Sequence, residues 1–319
     1  MTTYIIRRLL QAIIVLIIVT LIVFFVIRLL PGDPLIIYVA QTAQLQAMPP
    51  EMIEQLRIQF GLDKPIMVQY INWIANIFRG DFGESIFYHE DVGTLMLERF
   101  PVTLHLGILA LIIGAIFGIL IGIVTAVRRA KWPDKILTPM TYIGITIPVF
   151  FLGIIMIYIF GVKLGWLPIS GYVSPFDDFW LSTKKAIMPI ICLSFFSLAA
   201  NARQMRSSML EVVSQDYIRT AWSKGLSERT VIIKHALKNS LIPVITLVGV
   251  GVGLLVNASV IVETIFAIPG VGTLLVSSIF GQDYQVVQAI TLVVAVTILL
   301  INLLVDISYG WLDPRIRYG

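Results

Sequence analysis

Six runs of this sequence carry no Asp, Glu, Lys or Arg, and each is long enough, or nearly so, to cross a lipid bilayer. They are Leu9–Ile27, Pro101–Val127, Ile136–Val162, Ala186–Ala202, Asn239–Val262 and Tyr284–Val305. A spanning helix needs about 20 apolar residues, because in lipid every backbone polar group must be satisfied inside the segment. The shortest run, Ala186–Ala202, has 17 residues. It is expected to extend to Met209, with Arg203 and Arg206 near the interface. Composition agrees: 58% of the 319 residues are hydrophobic and 13% are charged, where a soluble domain carries about a quarter charged. The chain is therefore expected to be an all-α, polytopic membrane protein with six transmembrane helices. The first run is expected to be retained, since Leu30-Pro31-Gly32-Asp33 offers no small-residue cleavage site.

The distribution of Lys and Arg sets an expected orientation. With the N-terminus inside, the inside segments hold 15 of the 23 basic residues, among them Arg7, Arg8, Arg128, Arg129, Lys131 and Lys135. Both termini and the segment 214–243 are then expected to be cytoplasmic. The chain divides into 1–100, a first span followed by a long external segment, and 101–319, five spans that enclose the 214–243 insert. In the external segment, Pro50 suits the first turn of a short helix. Ile66, Met67, Tyr70, Ile71, Trp73, Ile74, Ile77 and Phe78 recur at helical spacing. They predict a helix lying on the outer surface or packed on its own bundle. Glu263 to Asp283 is expected to hold a second short helix, contributing to an outer gate or to a contact with an external protein.

Within the spans, Gly114, Gly118 and Gly122 repeat every fourth residue, as do Gly249 and Gly253. Such faces let helix backbones approach closely. Pro148, midway along the third run, predicts a kink. Asn201, Asn257 and Glu263 are the polar groups expected at or near membrane depth, where such groups face a bundle interior or a cavity. With Pro269 and Gly270 they are the candidates for a pathway or gate.

Catalytic and metal chemistry has no constellation here. No G-x-x-x-x-G-K-[ST] loop is present, so the chain itself has no phosphate cradle for ATP. His89, His105 and His235 are isolated in sequence, and no cluster has metal-ligand spacing. Cys192 is the only cysteine, which excludes an internal disulfide. No cofactor, catalytic residue, metal site or nucleic-acid partner is expected. A secondary transporter would need midplane ionisable groups or inverted repeats, and neither is visible.

The insert Ser214–Pro243 stands apart. Tyr217, Ile218, Ala221 and Trp222 fall at i, i+1, i+4 and i+5, one narrow apolar stripe, while Arg219 and Lys224 lie off it. Gly225 follows where a helix wants a left-handed residue. Ser227 can cap a second helix, with Glu228 at its positive end. The unit reads as helix, glycine break, helix, able to dock into a groove.

Asp216-Tyr217-Ile218-Arg219-Thr220-Ala221, Lys224-Gly225-Leu226-Ser227-Glu228-Arg229, His235-Ala236-Leu237-Lys238-Asn239 and Leu241-Ile242-Pro243 resemble the cytoplasmic loop of ABC-importer permeases. The resemblance is strongest to the first permease subunit of the oligopeptide/dipeptide/nickel group. It covers nearly the whole chain, through Leu29-Leu30-Pro31-Gly32-Asp33-Pro34, Phe60-Gly61-Leu62-Asp63-Lys64-Pro65, Gly80-Asp81-Phe82-Gly83-Glu84-Ser85, Leu164-Gly165-Trp166-Leu167-Pro168, Val262-Glu263-Thr264-Ile265-Phe266, Pro269-Gly270-Val271-Gly272 and Leu312-Asp313-Pro314-Arg315. Arg219-Thr220-Ala221 replaces the Glu-Ala-Ala usual in such loops, a departure that looks like a feature of the peptide branch. The resemblance implies a type I importer permease fold and a cell-membrane complex. Its partners would be a second homologous permease, two cytoplasmic ATPases that hold ATP and Mg, an extracellular or periplasmic substrate-binding protein, and membrane lipids. It assigns ATPase coupling to Asp216, Tyr217, Ile218, Arg219, Ala221, Trp222, Lys224, Gly225 and Leu226. The cargo would be a di- or oligopeptide, with nickel or another small solute as the alternative.

Overall fold

The computed structural model describes residues 2–29, 35 and 50–312. The Pro31–Pro34 and Asp313–Arg315 motifs and the tail cations Arg315 and Arg317 lie outside the described residues. Among the described residues the regular structure is helical, with one isolated β-bridge between Glu84 and Asp91. Five helices are long and apolar enough to cross a membrane, and six spans result if one sharply bent pair counts as a single span. The chain forms two compact units, residues 1–102 with 269–299 and residues 103–268 with 300–319.

In the first unit, α1 is Thr2–Arg28, α2 is Pro50–Gln59 and α3 is Ile66–Phe78. Both short helices fall where the sequence places them. Trp73 and Tyr70 pack inward: their rings meet Phe24 of α1 at 5.9 and 5.2 Å, and the Tyr70 hydroxyl shares a hydrogen bond with Thr20. Helix α3 is thus packed on its own first span through two aromatic anchors, with Ile66, Met67 and Ile71 left exposed. The long helix α4, Val92–Val127, begins earlier than expected and includes Pro101. Its start is set by Asp91, whose carboxylate accepts from the Thr94 N–H at 2.8 Å. Val92, Leu95 and Met96 then pack with Val271 and Leu274 of α10 (Val271–Phe280), the short helix expected in the Glu263–Asp283 segment, and with Val286, Ala289 and Ile290 of α11 (Tyr284–Leu312). That burial outweighs the single backbone hydrogen bond lost at Pro101.

The second unit is organised around α7, Phe179–Val213, which is longer at both ends than the charge-free run. The remainder of α4 lies against it through glycines. A methyl group placed on Gly118 would sit 2.7 Å from Asn201 Cβ, and one on Gly122 would sit 2.5 Å from Met205 Cβ. Only hydrogen fits there. Gly253 behaves differently: nothing lies within 4 Å of where its Cβ would be, so its spacing does not mark a close approach.

The third run does not kink; it breaks. Helix α5 (Trp132–Thr146) and α6 (Val149–Met156, continuing as a π-helical turn to Lys163) meet at 108°. Proline disfavours helical torsions in its predecessor, and Ile147 is extended, with φ −70 and ψ 126. Helix α5 is held to α7 at one end by an Arg206–Asp134 pair, two parallel bonds of 2.9 and 3.1 Å. Helix α8 (Asp216–Ser223) follows α7, and α9 (Leu237–Ile265) begins within the last part of the insert. Glu228–Thr230 and a π-helical turn, Val231–Ala236, lead into α9 without interruption. The second helix of the insert and the fifth span are therefore one rod.

Candidate functional site

The insert folds as helix, glycine break, helix. Gln215 is extended and starts α8, and Gly225 ends it with φ +75. The Gly225 N–H donates to Trp222 O at 2.9 Å and the Leu226 N–H to Ala221 O at 3.4 Å. Those two bonds close a Schellman motif, which requires the left-handed torsion that glycine adopts freely. Two residues later the Ser227 hydroxyl accepts from the Thr230 N–H, capping the next turn with Glu228 in its first position.

The stripe on α8 has two destinations. Ile218 is 1% exposed, and with Ala221 it packs among Met205 and Met209 of α7 and Val231 and Ala236 at the root of α9. This corrects the expectation that Ile218 and Ala221 meet a partner: they are consumed by the chain's own core. Tyr217 at 44% and Trp222 at 51% exposed face away, beside exposed Leu226 and Lys224. The Tyr217 hydroxyl accepts from Asn239 Nδ2 at 2.8 Å, which fixes its ring against α9. Arg219 and Asp216 lie 3.7 Å apart on the solvent side, in a pair both of whose members are well exposed. A small apolar and basic face is thus carried on an anchor buried between two long helices.

The pathway candidates are not gathered into one place. Asn201 is buried; its amide donates to Ser197 Oγ at 3.2 Å and to Gly114 O at 3.4 Å. It lines a cavity of about 270 Å³, with Ser197 and Phe196 of α7 and Leu247, Gly251 and Leu254 of α9. Asn257 is exposed and returns its amide to Gly253 O of its own helix. Glu263 is buried and accepts from the Thr103 hydroxyl at 2.6 Å. Pro269 and Gly270 belong to the first unit, where Gly270 opens α10.

Other partnerships were not visible in sequence. His105 is not isolated: its Nδ1 lies 3.0 Å from the Tyr172 hydroxyl. Burial, and secondarily the charge of Asp177, raises the Tyr172 hydroxyl above its ordinary pKa. Asp134 follows Pro133 in the first turn of α5, a sequence signature of a helix start. It accepts from Ala130 N, Thr138 and Arg206 together. Among the described residues, no group of three His, Cys, Asp or Glu side chains could hold a metal.

Residues 118–318 match the family described as binding-protein-dependent transport system inner membrane component, and residues 1–107 match its N-terminal companion. A putative peptide transport system permease protein of Brucella abortus (strain 2308) is 42% identical over 321 residues, with all of both chains covered. The glutathione transport system permease protein GsiC of Escherichia coli (strain K12) is 41% identical over 318 residues, again with full coverage. The inward-facing MetNI methionine ABC transporter shares the fold at a TM-score of 0.57, with 18% identity, over 69% of this chain and 96% of that one. The multi-span helical fold, the glycine-broken insert and these matches have one reading: this chain belongs to the binding-protein-dependent transport system inner membrane components, the permeases of ABC importers.

Proposed function

We propose that this permease forms half of the translocation pathway of an ATP-driven importer of di- or oligopeptides, and that its 214–243 insert is where an ATPase subunit docks. The observation that carries the reading is the divided stripe of α8. Ile218 and Ala221 are locked between α7 and the root of α9, while Tyr217, Trp222 and Leu226 remain uncovered. Force applied to the uncovered face reaches both long helices through a packed core, which deforms little. ATPase closure would thereby bias the bundle between two states open to opposite sides.

In this reading the insert and both termini are cytoplasmic, in keeping with the excess of Lys and Arg there. ATP and Mg reside on two ATPase subunits. A second, homologous permease supplies the other half of the pathway, and an external binding protein delivers the cargo. The curated relatives named for peptide and glutathione transport support a peptide cargo. Asn201 and the cavity beside it are the candidate pathway lining in this half.

Trp222→Cys, cross-linked in the assembled complex, tests the docking. A cross-link to the ATPase that changes in yield between nucleotide-free and ATP-bound states is expected. Absence of any such product, with the permease fully inserted, overturns the assignment. ATP-dependent uptake of a labelled dipeptide into proteoliposomes tests the cargo.

A further inference from the structure

The first unit contains a polar cavity of about 590 Å³, distinct from the insert and from the cavity at Asn201. Two buried residues of its lining have polar groups without protein partners. Gln288 is 1% exposed, yet neither its amide nitrogen nor its amide oxygen has a hydrogen-bond partner. The indole N–H of Trp73, 8% exposed, is unpartnered too. Buried amide and indole groups are satisfied in folded proteins as a rule, because desolvation without a partner is costly.

The charges of the lining carry the second clue. The Arg28 guanidinium is held in place from two sides: Nε donates to Gln69 at 3.1 Å, and the group stacks 3.5 Å from the centroid of the Phe24 ring. Among the described residues, its one other hydrogen bond is to Phe24 O. No carboxylate among the described residues pairs with it. A positioned, carboxylate-free guanidinium is a receptor for a planar or tetrahedral anion. The 81–91 loop brings Asp81, Glu84 and Asp91 to the same cavity. Asp81 and Asp91 each engage one oxygen in local backbone bonds, with Gly83 and Thr94 respectively.

We propose that this cavity is a binding site for a zwitterion, whose anionic group meets Arg28 and the Gln288 and Trp73 donors and whose ammonium group meets the acidic 81–91 loop. Two sources share that chemistry. One is the headgroup of an aminophospholipid: Arg28 closes the first span, and Ile66, Met67 and Ile71 of α3 are exposed nearby on the same unit. The other is a free amino acid or short peptide, acting at a site separate from transport.

The test uses the full chain assembled with its partner subunits, in nanodiscs of phosphatidylglycerol, a lipid with no ammonium group. Glycerophosphoethanolamine and dialanine are titrated as probes by calorimetry, against wild type, Arg28→Gln, Gln288→Leu and Glu84→Gln. Saturable binding of a probe that Arg28→Gln weakens at least tenfold, and that Gln288→Leu and Glu84→Gln also weaken, is expected. Binding of glycerophosphoethanolamine alone assigns a lipid headgroup, and binding of dialanine alone a free zwitterion. Dialanine bound at a transport site would keep its affinity in all three variants. Because Glu84 is exposed, its variant keeps the test valid even if Gln288→Leu lowers the yield of folded protein. Absence of binding by both probes, or binding indifferent to all three substitutions, overturns the proposal.

Discussion

Ser85 donates its hydroxyl hydrogen to the carboxylate of Asp283, a residue 198 positions further along the chain. The same carboxylate accepts from the Phe87 N–H at 3.2 Å, and its other oxygen faces the Val286 N–H at 3.5 Å. Asp283 thereby joins the 80–91 loop to the corner between α10 and α11. It is fully buried, and burial raises its pKa above the ordinary carboxylate value despite those hydrogen bonds, which lower it.

That relationship has a pH signature. Between the ordinary value, about 3.9, and the raised folded value, the native state binds more protons at Asp283 than the unfolded state does. The stability attached to the protonated acid is fully present below the ordinary value and is lost as pH rises through the folded value. Asp283→Asn is expected to flatten this dependence, read from hydrogen exchange at the Phe87 and Val286 amides. Asp283→Ala should cost about 1–3 kcal/mol, since it leaves the Ser85 hydroxyl and the Phe87 N–H without their acceptor.

Two glycines that look alike in sequence should behave oppositely. Gly118→Ala forces a methyl group into Asn201 Cβ and Leu198 O, both 2.7 Å from its position. Overpacking of that kind costs about 1–3 kcal/mol. Gly253→Ala meets nothing within 4 Å and gains helix propensity, about 0.5–1 kcal/mol. Thermal unfolding in detergent should therefore separate the two variants in opposite directions from wild type. Equal effects would mean that α4 does not pack on α7 through Gly118.

The Asp134–Arg206 pair should respond to geometry as much as to charge. Arg206→Lys keeps the positive charge but loses the two parallel bonds to the Asp134 carboxylate. Removing Asp134 also strands the Ala130 N–H and the Thr138 hydroxyl. A double-mutant cycle between Asp134→Ala and Arg206→Ala is expected to give a coupling of about 1–3 kcal/mol. Near-zero coupling would assign the pair to ordinary surface ion pairing.

Legibility in the sequence followed locality. Helix α3 could be placed because Pro65 precedes an unbroken helical periodicity, and Gly225 because a glycine closes a short amphipathic stripe. Both signals lie within a few residues of the feature they predict. Pro148 announced a disturbance, but the change from kink to a 108° break depends on how α5 and α6 each pack. The stripe on α8 joins four residues that the fold divides, turning Ile218 and Ala221 into the chain's own core and Tyr217 and Trp222 outward. Periodicity reports that Ile218 and Ala221 share a face and cannot say whether that face meets the chain's own helices or another protein. Ser227 announced a second helix in the insert, but not that it would run on through Lys234, His235 and Lys238 into the fifth span as one rod, since charged side chains can project from a helix that leaves the membrane. The link from Ser85 to Asp283 and the cavity around Gln288 had no local signal at all, since their residues are drawn from distant segments.

The divided stripe yields the sharpest separation of roles. Ile218→Ala removes buried volume from the cluster with Met205, Met209 and Val231, and should cost about 2–5 kcal/mol in stability. Trp222→Ala removes a side chain that is half exposed, so the isolated permease should melt within about 0.5 kcal/mol of wild type. Its effect should appear only in the complex, as loss of the ATP hydrolysis stimulated by the loaded binding protein, because exposed aromatic anchors dominate docking energies. Gly225→Val lies between the two, since a β-branched residue at φ +75 carries a strain of about 1–2 kcal/mol that tilts the docking face without emptying the core. The measurement pairs thermal unfolding of each variant with stimulated ATPase activity of its reconstituted complex. Wild-type stimulation in Trp222→Ala, with normal insertion, would show that the uncovered face of α8 is not where the ATPase engages.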